Sequence, residues 1–272
     1  MPEYEPDPIE AQLQLTRSRS VANGRFSFSF AADFDRTIFP IIHQPRGGRP
    51  RLIGAGFFIL PWGLFVTAGH LFEGNDIADD DAFDALVDLG GGNLRQIPIE
   101  EIHRSEERDV AFGIVSMESD APIVPVMQLP PIVTEGGAEP IGAPVFAHTL
   151  VQELRPLSPD EVLFQRRYHW ELGYAEEIHE HGRGFVRGRC FSTNIFAEGR
   201  SSGSPVFNSN GFVVGLVSMG LTPPDGQLPY SVITSIQEAL DVPVNGQTVW
   251  EHRRQMPNNP IVSVSRVQSA DN

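Results

Sequence analysis

A single cysteine, Cys190, stands in 272 residues. That excludes any intramolecular disulfide and points to a reducing compartment. Basic residues are also scarce: 20 Lys and Arg against 35 Asp and Glu leave a net charge of −15. Nucleic acid is therefore not an expected partner, because phosphate contacts need clustered cations. A secretory signal is missing too: Met1 to Glu10 is acidic and proline-rich, with no basic flank and no apolar core. The expected location is the cytoplasm. Long apolar runs are few. Leu52 to Gly69 is uncharged over eighteen residues, but Pro61-Trp62-Gly63 interrupts it with turn chemistry. A bilayer span would have to satisfy its backbone as one helix, so this stretch reads as a buried β-hairpin and no membrane partner is expected.

What is plentiful is glycine (26) and proline (23), which suits many short strands joined by turns. Strand-like text runs through Thr37 to His43, Leu52 to Leu60, Leu64 to Ala68, Ala85 to Leu89 and Val110 to Val115. Pro122 to Pro144 reads as a crossing, after which a second set follows: Val145 to Val151, Phe185 to Thr193, Pro205 to Asn208, Phe212 to Met219 and Leu228 to Val232. Asn208-Ser209-Asn210-Gly211 is a turn signal between two of these runs. Helical signals are limited to Asp7-Pro8, which can open a short helix, and to Ser235-Ile236-Gln237-Glu238, which has capping-box spacing. Phe26 to Phe30 alternates strictly, as a strand with one aromatic face. Val249 to Asn272 shows no usable periodicity and reads as a flexible or partner-bound tail. Twelve Asp or Glu against three Arg lie between Glu73 and Asp109, read as a solvated loop.

Three motifs carry chemistry. Leu64 to Ala68 runs into Gly69-His70; Arg108-Asp109-Val110-Ala111 leads into an apolar strand; and Ser202-Gly203-Ser204-Pro205 stands far downstream. Serine is a poor nucleophile at neutral pH. It needs a histidine to take its proton, and that histidine needs a buried carboxylate to fix its tautomer. The order His, Asp, Ser matters, because convergent triads on other folds run differently.

Together these motifs resemble the trypsin-like (chymotrypsin-fold) serine peptidases of the cytoplasmic bacterial type, over roughly Thr37 to Leu240. The resemblance implies an all-β chain of two packed antiparallel β-barrels with a cleft between them and a short C-terminal helix. The corresponding division is an extension over 1–35, a first barrel over 36–130 with the histidine and aspartate, a second barrel over 131–248 with the serine, and a tail over 249–272. It implies His70 as general base and then acid, Asp109 as its orienting carboxylate and Ser202 as nucleophile. The oxyanion would be met by the backbone N–H groups of Arg200 and Ser202. Gly54-Ala55-Gly56-Phe57 resembles the family's strand before the histidine. Gly215 to Gly220 resembles the strand that pairs with substrate, so Ser218, Met219 and Gly220 are expected to bind it, with Ser218 also bonded to Asp109. Phe196 at the base and Leu228 on the wall of the specificity pocket imply cleavage after small or apolar residues. Neither is acidic, which removes the means of selecting Lys or Arg.

Two positions depart from the family pattern. Arg200 stands where glycine is common and penalises the backbone angles that glycine tolerates. Ser201 stands where an aspartate is common, which removes the partner of a freshly cut amino terminus. Rival readings are weaker. Gly199-Arg200-Ser201-Ser202-Gly203 fits the G-x-S-x-G elbow of an α/β-hydrolase, with Ser201 as nucleophile, but acid and histidine would have to follow it; His252 is the only histidine among the 71 residues that remain, and helical patterns are scarce. His179-Glu180-His181 lacks metal-site spacing and reads as a solvated loop. Cys190 reads as a small buried apolar residue. The expectation is a serine endopeptidase acting on protein or peptide substrates, with no metal or cofactor and with a regulatory protein partner possible. The alternative is a latent or inactive peptide-binding scaffold of the same fold.

Overall fold

Short apolar runs between turn residues can be buried only by pairing with one another, and the chain does this twice. A computed structural model describes residues 17–21, 26–30, 36–74, 76–78, 80–88, 94–115, 126–127, 141–156, 162–224, 228–254, 261–262 and 264–269. Arg17–Val21 (β1) and Phe26–Phe30 (β2) form an antiparallel pair ahead of the first barrel. Ile38–Gln44 (β3), Arg51–Phe58 (β4), Leu64–Thr67 (β5), Ala82–Asp88 (β6), Leu94–Arg104 (β7) and Ala111–Val115 (β8) close into a barrel in the order β3-β4-β5-β8-β7-β6. After Val126–Met127 (β9), a second barrel forms from Pro144–Pro156 (β10), Val162–His179 (β11), Cys190–Thr193 (β12), Pro205–Asn208 (β13), Val213–Leu221 (β14) and Tyr230–Ser235 (β15). Its order is β10-β11-β12-β15-β14-β13. All pairings within both barrels are antiparallel.

The first barrel is filled by aromatic rings. Phe39 lies 4.6 Å from Phe58 and 5.1 Å, edge-on, from Phe65 (ring centroids). A Cβ on Gly113 would come within 2.3 Å of the Phe65 ring, so that strand must carry glycine there. Full burial of each such ring contributes ~1.5–3 kcal/mol. The same apolar cluster takes in Phe146, Phe207, Leu216, Ile236 and Leu240 from the second half, so the two barrels share a continuous apolar seam.

Ile236–Leu240 (α1) follows β15 and buries Ile236, Ala239 and Leu240. The capping box predicted at Ser235 does not form, since Ser235 makes no side-chain cap bond. Beyond α1 the structure departs further from the sequence reading. Pro243–Val244 (β16) pairs with Gln247–Thr248 (β17), and Val249–Arg254 (α2) follows. Ile261–Val262 (β18) runs parallel to β9, and Val264–Ser269 (β19) pairs with β2. The segment expected to lack regular structure thus gains it by pairing with strands far away in the chain. The helix proposed at Asp7-Pro8 and most of Pro122 to Pro144 lie outside the described residues.

The acidic stretch is only partly solvated. Asp84 and Asp88 are buried, and Asp81 lies 2.6 Å from Nε2 of the fully buried His43. The Arg51 Nε–H donates to the other ring nitrogen of His43 at 2.9 Å. Among the described residues no helix is long and apolar enough to cross a membrane.

Candidate active site

β5 and β8 are neighbours, with Thr67 opposite Ala111. His70 leaves the end of β5 in a 3-10 turn, Gly69–Phe72, while Asp109 stands two residues before β8. The two are therefore set at one end of adjacent strands. Gly69 permits the approach: a Cβ there would lie 2.9 Å from the Val110 nitrogen. His70 Nδ1 is 3.0 Å from both carboxylate oxygens of Asp109. The backbone N–H of His70 donates to Asp109 Oδ1 at 2.8 Å. Asp109 is 1% exposed. Burial pushes its carboxyl up, but the hydrogen bond and charge of His70, that backbone N–H and the Ser218 hydroxyl outweigh it and hold the group below the usual carboxylate range. An ionised carboxylate on Nδ1 keeps the imidazole proton there and leaves Nε2 free to accept one.

Ser202 comes to this pair from the other barrel, in the turn before β13. Its carbonyl accepts the N–H of Ala55 in β4 at 2.8 Å. Glycines at 54 and 203 make that contact possible. A Cβ on Gly54 would meet the Ser202 oxygen at 2.7 Å, and one on Gly203, which has φ 86°, would meet the Ala55 oxygen at 1.9 Å. The sequence motif at residues 54–57 thus forms the socket for the serine turn. Ser202 is half-buried, whereas Ser201 is fully buried and its hydroxyl has no hydrogen-bond partner among the described residues. His70 and Ser202 share no hydrogen bond in this state: the Ser202 hydroxyl donates to the Ser218 carbonyl at 3.2 Å.

Arg200 adopts φ 75°, in the left-handed region. The Ser201 N–H donates to the Glu198 carbonyl at 3.1 Å, which makes Arg200 the third residue of a four-residue turn. A positive φ at that position is the mark of a type II turn.

β14 pairs with β13 only as far as Leu216, whereas its pairing with β15 continues to Leu221. Past Val217, one side of β14 therefore carries no paired strand among the described residues, and this is the stretch expected to bind substrate: Ser218, Met219 and the exposed Gly220. The Ser218 and Thr234 hydroxyls are 2.6 Å apart. The expected pocket is less well formed. Phe196 is 41% exposed, and its ring lies beside Gly220. Leu228 is 84% exposed, and β15 begins at Tyr230, two residues after it.

Among the described residues no group of three or more His, Cys, Asp or Glu is placed to hold a metal ion. In the His179-Glu180-His181 motif, His179 ends β11 and accepts from Arg183 at 2.9 Å. Cys190 is buried, and burial pushes its thiol up to about 11.

Two residues at the site were not singled out by sequence. Phe185 packs edge-on against the His70 ring, with centroids 5.3 Å apart. Arg187 donates to the Glu106 carbonyl at 2.9 Å and pairs with Glu73. The segment holding both was read as the start of a strand, but the strand starts at Cys190. The glycines at 182, 184 and 188, all at positive φ, were the available sign of a shaped loop.

Two six-stranded antiparallel barrels with a histidine, an aspartate and a serine at their seam define the chymotrypsin-like class of fold. Residues 54–216 match the trypsin-like peptidase domain family, and the chain belongs to it. No curated protein sequence matches the chain. Among solved structures, a variant of the HtrA-type protease AlgW with a tripeptide superposes with TM-score 0.53 at 13% identity, over 76% of this chain and 59% of that one. AlgW itself with a tripeptide gives 0.50 at 14%, over 76% and 59%. The MamO protease domain from Magnetospirillum magneticum gives 0.49 at 15%, over 75% and 94%. This chain therefore spans about six tenths of the length of the HtrA-type proteases it resembles in fold.

Proposed function

We propose that the protein is a serine endopeptidase in which His70, Asp109 and Ser202 hydrolyse peptide bonds through an acyl-enzyme. The reading is carried by the buried Asp109 carboxylate bonded at 3.0 Å to Nδ1 of His70, at the seam where Ser202 is anchored. In the reaction the Ser202 hydroxyl leaves the Ser218 carbonyl and gives its proton to Nε2 of His70 as Oγ attacks the substrate carbonyl. The imidazolium, stabilised by Asp109, then protonates the leaving amine, and water repeats the sequence to release the acid. The N–H groups of Arg200 and Ser202 receive the oxyanion, each such donor contributing ~3 kcal/mol. Substrate lies as an added strand along Ser218 to Gly220, and the cut falls after small or apolar residues beside Phe196 and Gly220. The substrate is a protein or peptide, the compartment the cytoplasm, and a regulatory protein partner remains part of the proposal.

The second reading is a latent or inactive peptide-binding scaffold, in which the Ser202 hydroxyl stays on the Ser218 carbonyl. Labelling with a fluorophosphonate probe separates the two. Labelling lost in Ser202→Ala and kept in Ser201→Ala supports the endopeptidase; a well-folded protein that takes no label supports the scaffold.

A further inference from the structure

Large apolar residues standing singly at a surface need no explanation, so the exposure of Phe185 means little by itself. Its setting is another matter. The ring is 55% exposed yet lies edge-on against His70 at 5.3 Å, and the loop carrying it is held by several contacts. Arg183 and Val186 exchange backbone hydrogen bonds of 3.0 and 3.1 Å, closing a turn with Phe185 near its tip. Gly182 and Gly184 have φ of 95° and 63°, and a Cβ on Gly182 would strike the Val186 carbonyl at 2.3 Å. The Arg183 guanidinium bonds Glu177 at 2.9 Å and the Tyr230 hydroxyl at 3.0 Å. Val186 is buried with Cys190, Met219 and Val232. The aromatic ring is therefore held out over the imidazole by a braced loop.

Geometry says what passes beneath it. A peptide added along the open side of β14 is extended, and successive side chains of an extended chain point to opposite faces. With one side chain directed at Phe196 and Gly220, the residue immediately before it is directed away from them, toward His70 and Phe185. We propose that Phe185 is a specificity-determining residue: it selects a bulky apolar side chain at the substrate residue immediately before the one that enters the pocket. This rests on the assignment of the cleft made under the proposed function, but it needs only peptide binding and no turnover.

The test uses the full chain carrying Ser202→Ala and fluorescein-labelled tetrapeptides ending in valine, with Leu, Phe, Ala or Asp as the next-to-last residue. Fluorescence anisotropy should show Leu and Phe bound about tenfold or more tightly than Ala, the scale on which apolar pockets discriminate. Adding Phe185→Ala should abolish that preference and leave the preference at the last residue unchanged, while Phe185→Leu should restore most of it. A preference that survives Phe185→Ala, or its absence in the parent, or no peptide binding at all, overturns the proposal. Fluorophosphonate labelling of the Ser202 enzyme reads the catalytic assignment separately. Phe185-dependent binding without labelling would sink that assignment alone, and labelling without the preference would sink this proposal alone.

Discussion

The backbone N–H of Asp109 donates to the carbonyl of Arg187 at 3.0 Å, so the carboxylate that holds His70 is itself hung from the other barrel. The Arg187 side chain reaches the Glu106 carbonyl and the Glu73 carboxylate, three residues before Asp109 and three after His70. As an ion pair this contributes little to stability: both side chains are more than a third exposed, and such pairs contribute about 0–1 kcal/mol. Its effect is on position, where a shift of about 1 Å costs up to about a hundredfold in rate. Arg187→Met is expected to lower kcat roughly ten- to a hundredfold with KM little changed and Tm lowered by less than about 4 °C. A fall in Tm that accounts for the whole loss, or an unchanged kcat, would sink the positioning role.

Arg200 at φ 75° carries strain that glycine would not. Turns of types I and II differ in this residue's φ, so the side chain disfavours the positive-φ form that the loop adopts here. Arg200→Gly is expected to speed fluorophosphonate labelling up to about tenfold, the equivalent of ~1.4 kcal/mol. Arg200→Val should slow it, because a branched Cβ tolerates positive φ least. The reverse order of the three rates would show that the strained turn is not the limiting feature.

Asp109 links pH to stability with a definite sign. Its folded carboxyl is held below the ordinary value of 3.8, so its contribution is complete above that value and disappears as pH falls through the folded one. Asp109→Asn should melt below the parent at pH 7, with the gap closing as pH drops below about 4. The same change should lower kcat by about 10⁴-fold, the size seen when a triad histidine loses its carboxylate. Melting curves from pH 2.5 to 8 check the first part; a gap constant across that range would show that the carboxylate charge is not what stabilises.

Glu171 has the opposite sign. It lies in β11, half-buried, and accepts the Phe196 N–H; burial and the nearby Glu198 charge push its carboxyl up to about 7 against an ordinary 4.5. The folded state therefore holds a proton that the unfolded state has lost between those values, and stability falls as pH rises through that window. Glu171→Gln removes the penalty. The variant should melt about 2–4 °C above the parent at pH 8 and level with it at pH 4. Equal melting temperatures at both pH values would mean that Glu171 ionises without cost.

How much of this was legible in the sequence depended on how local each signal was. His70 and Asp109 flank short apolar strands, and Gly54 and Gly203 stand in the motifs that carry the family resemblance, so motif and chain order located them, while the contacts that exclude a Cβ there appear only in the fold. β7 and β11 were missed, since Glu100, Glu101, Arg166 and Arg167 break the apolar pattern and pairing alone makes these residues strands. β15 starts two residues later than its apolar text suggests, which leaves Leu228 outside the strand and exposed. Phe185 and Arg187 draw their meaning from contacts 78 to 115 residues back along the chain, and no window of the sequence reports those. β19 is an extreme case: among the described residues it pairs with β2, a strand near the other end.

Cys190 opens β12, opposite His179 on one side and Thr234 on the other. It is the sole thiol of the chain, fully enclosed and held protonated. An alkylating reagent can reach it only when the second barrel breathes. The rate of modification then measures the free energy of that opening, next to the loop that carries Phe185 and Arg187. The protein thus carries an internal gauge of motion at its own cleft, readable by mass without an added label.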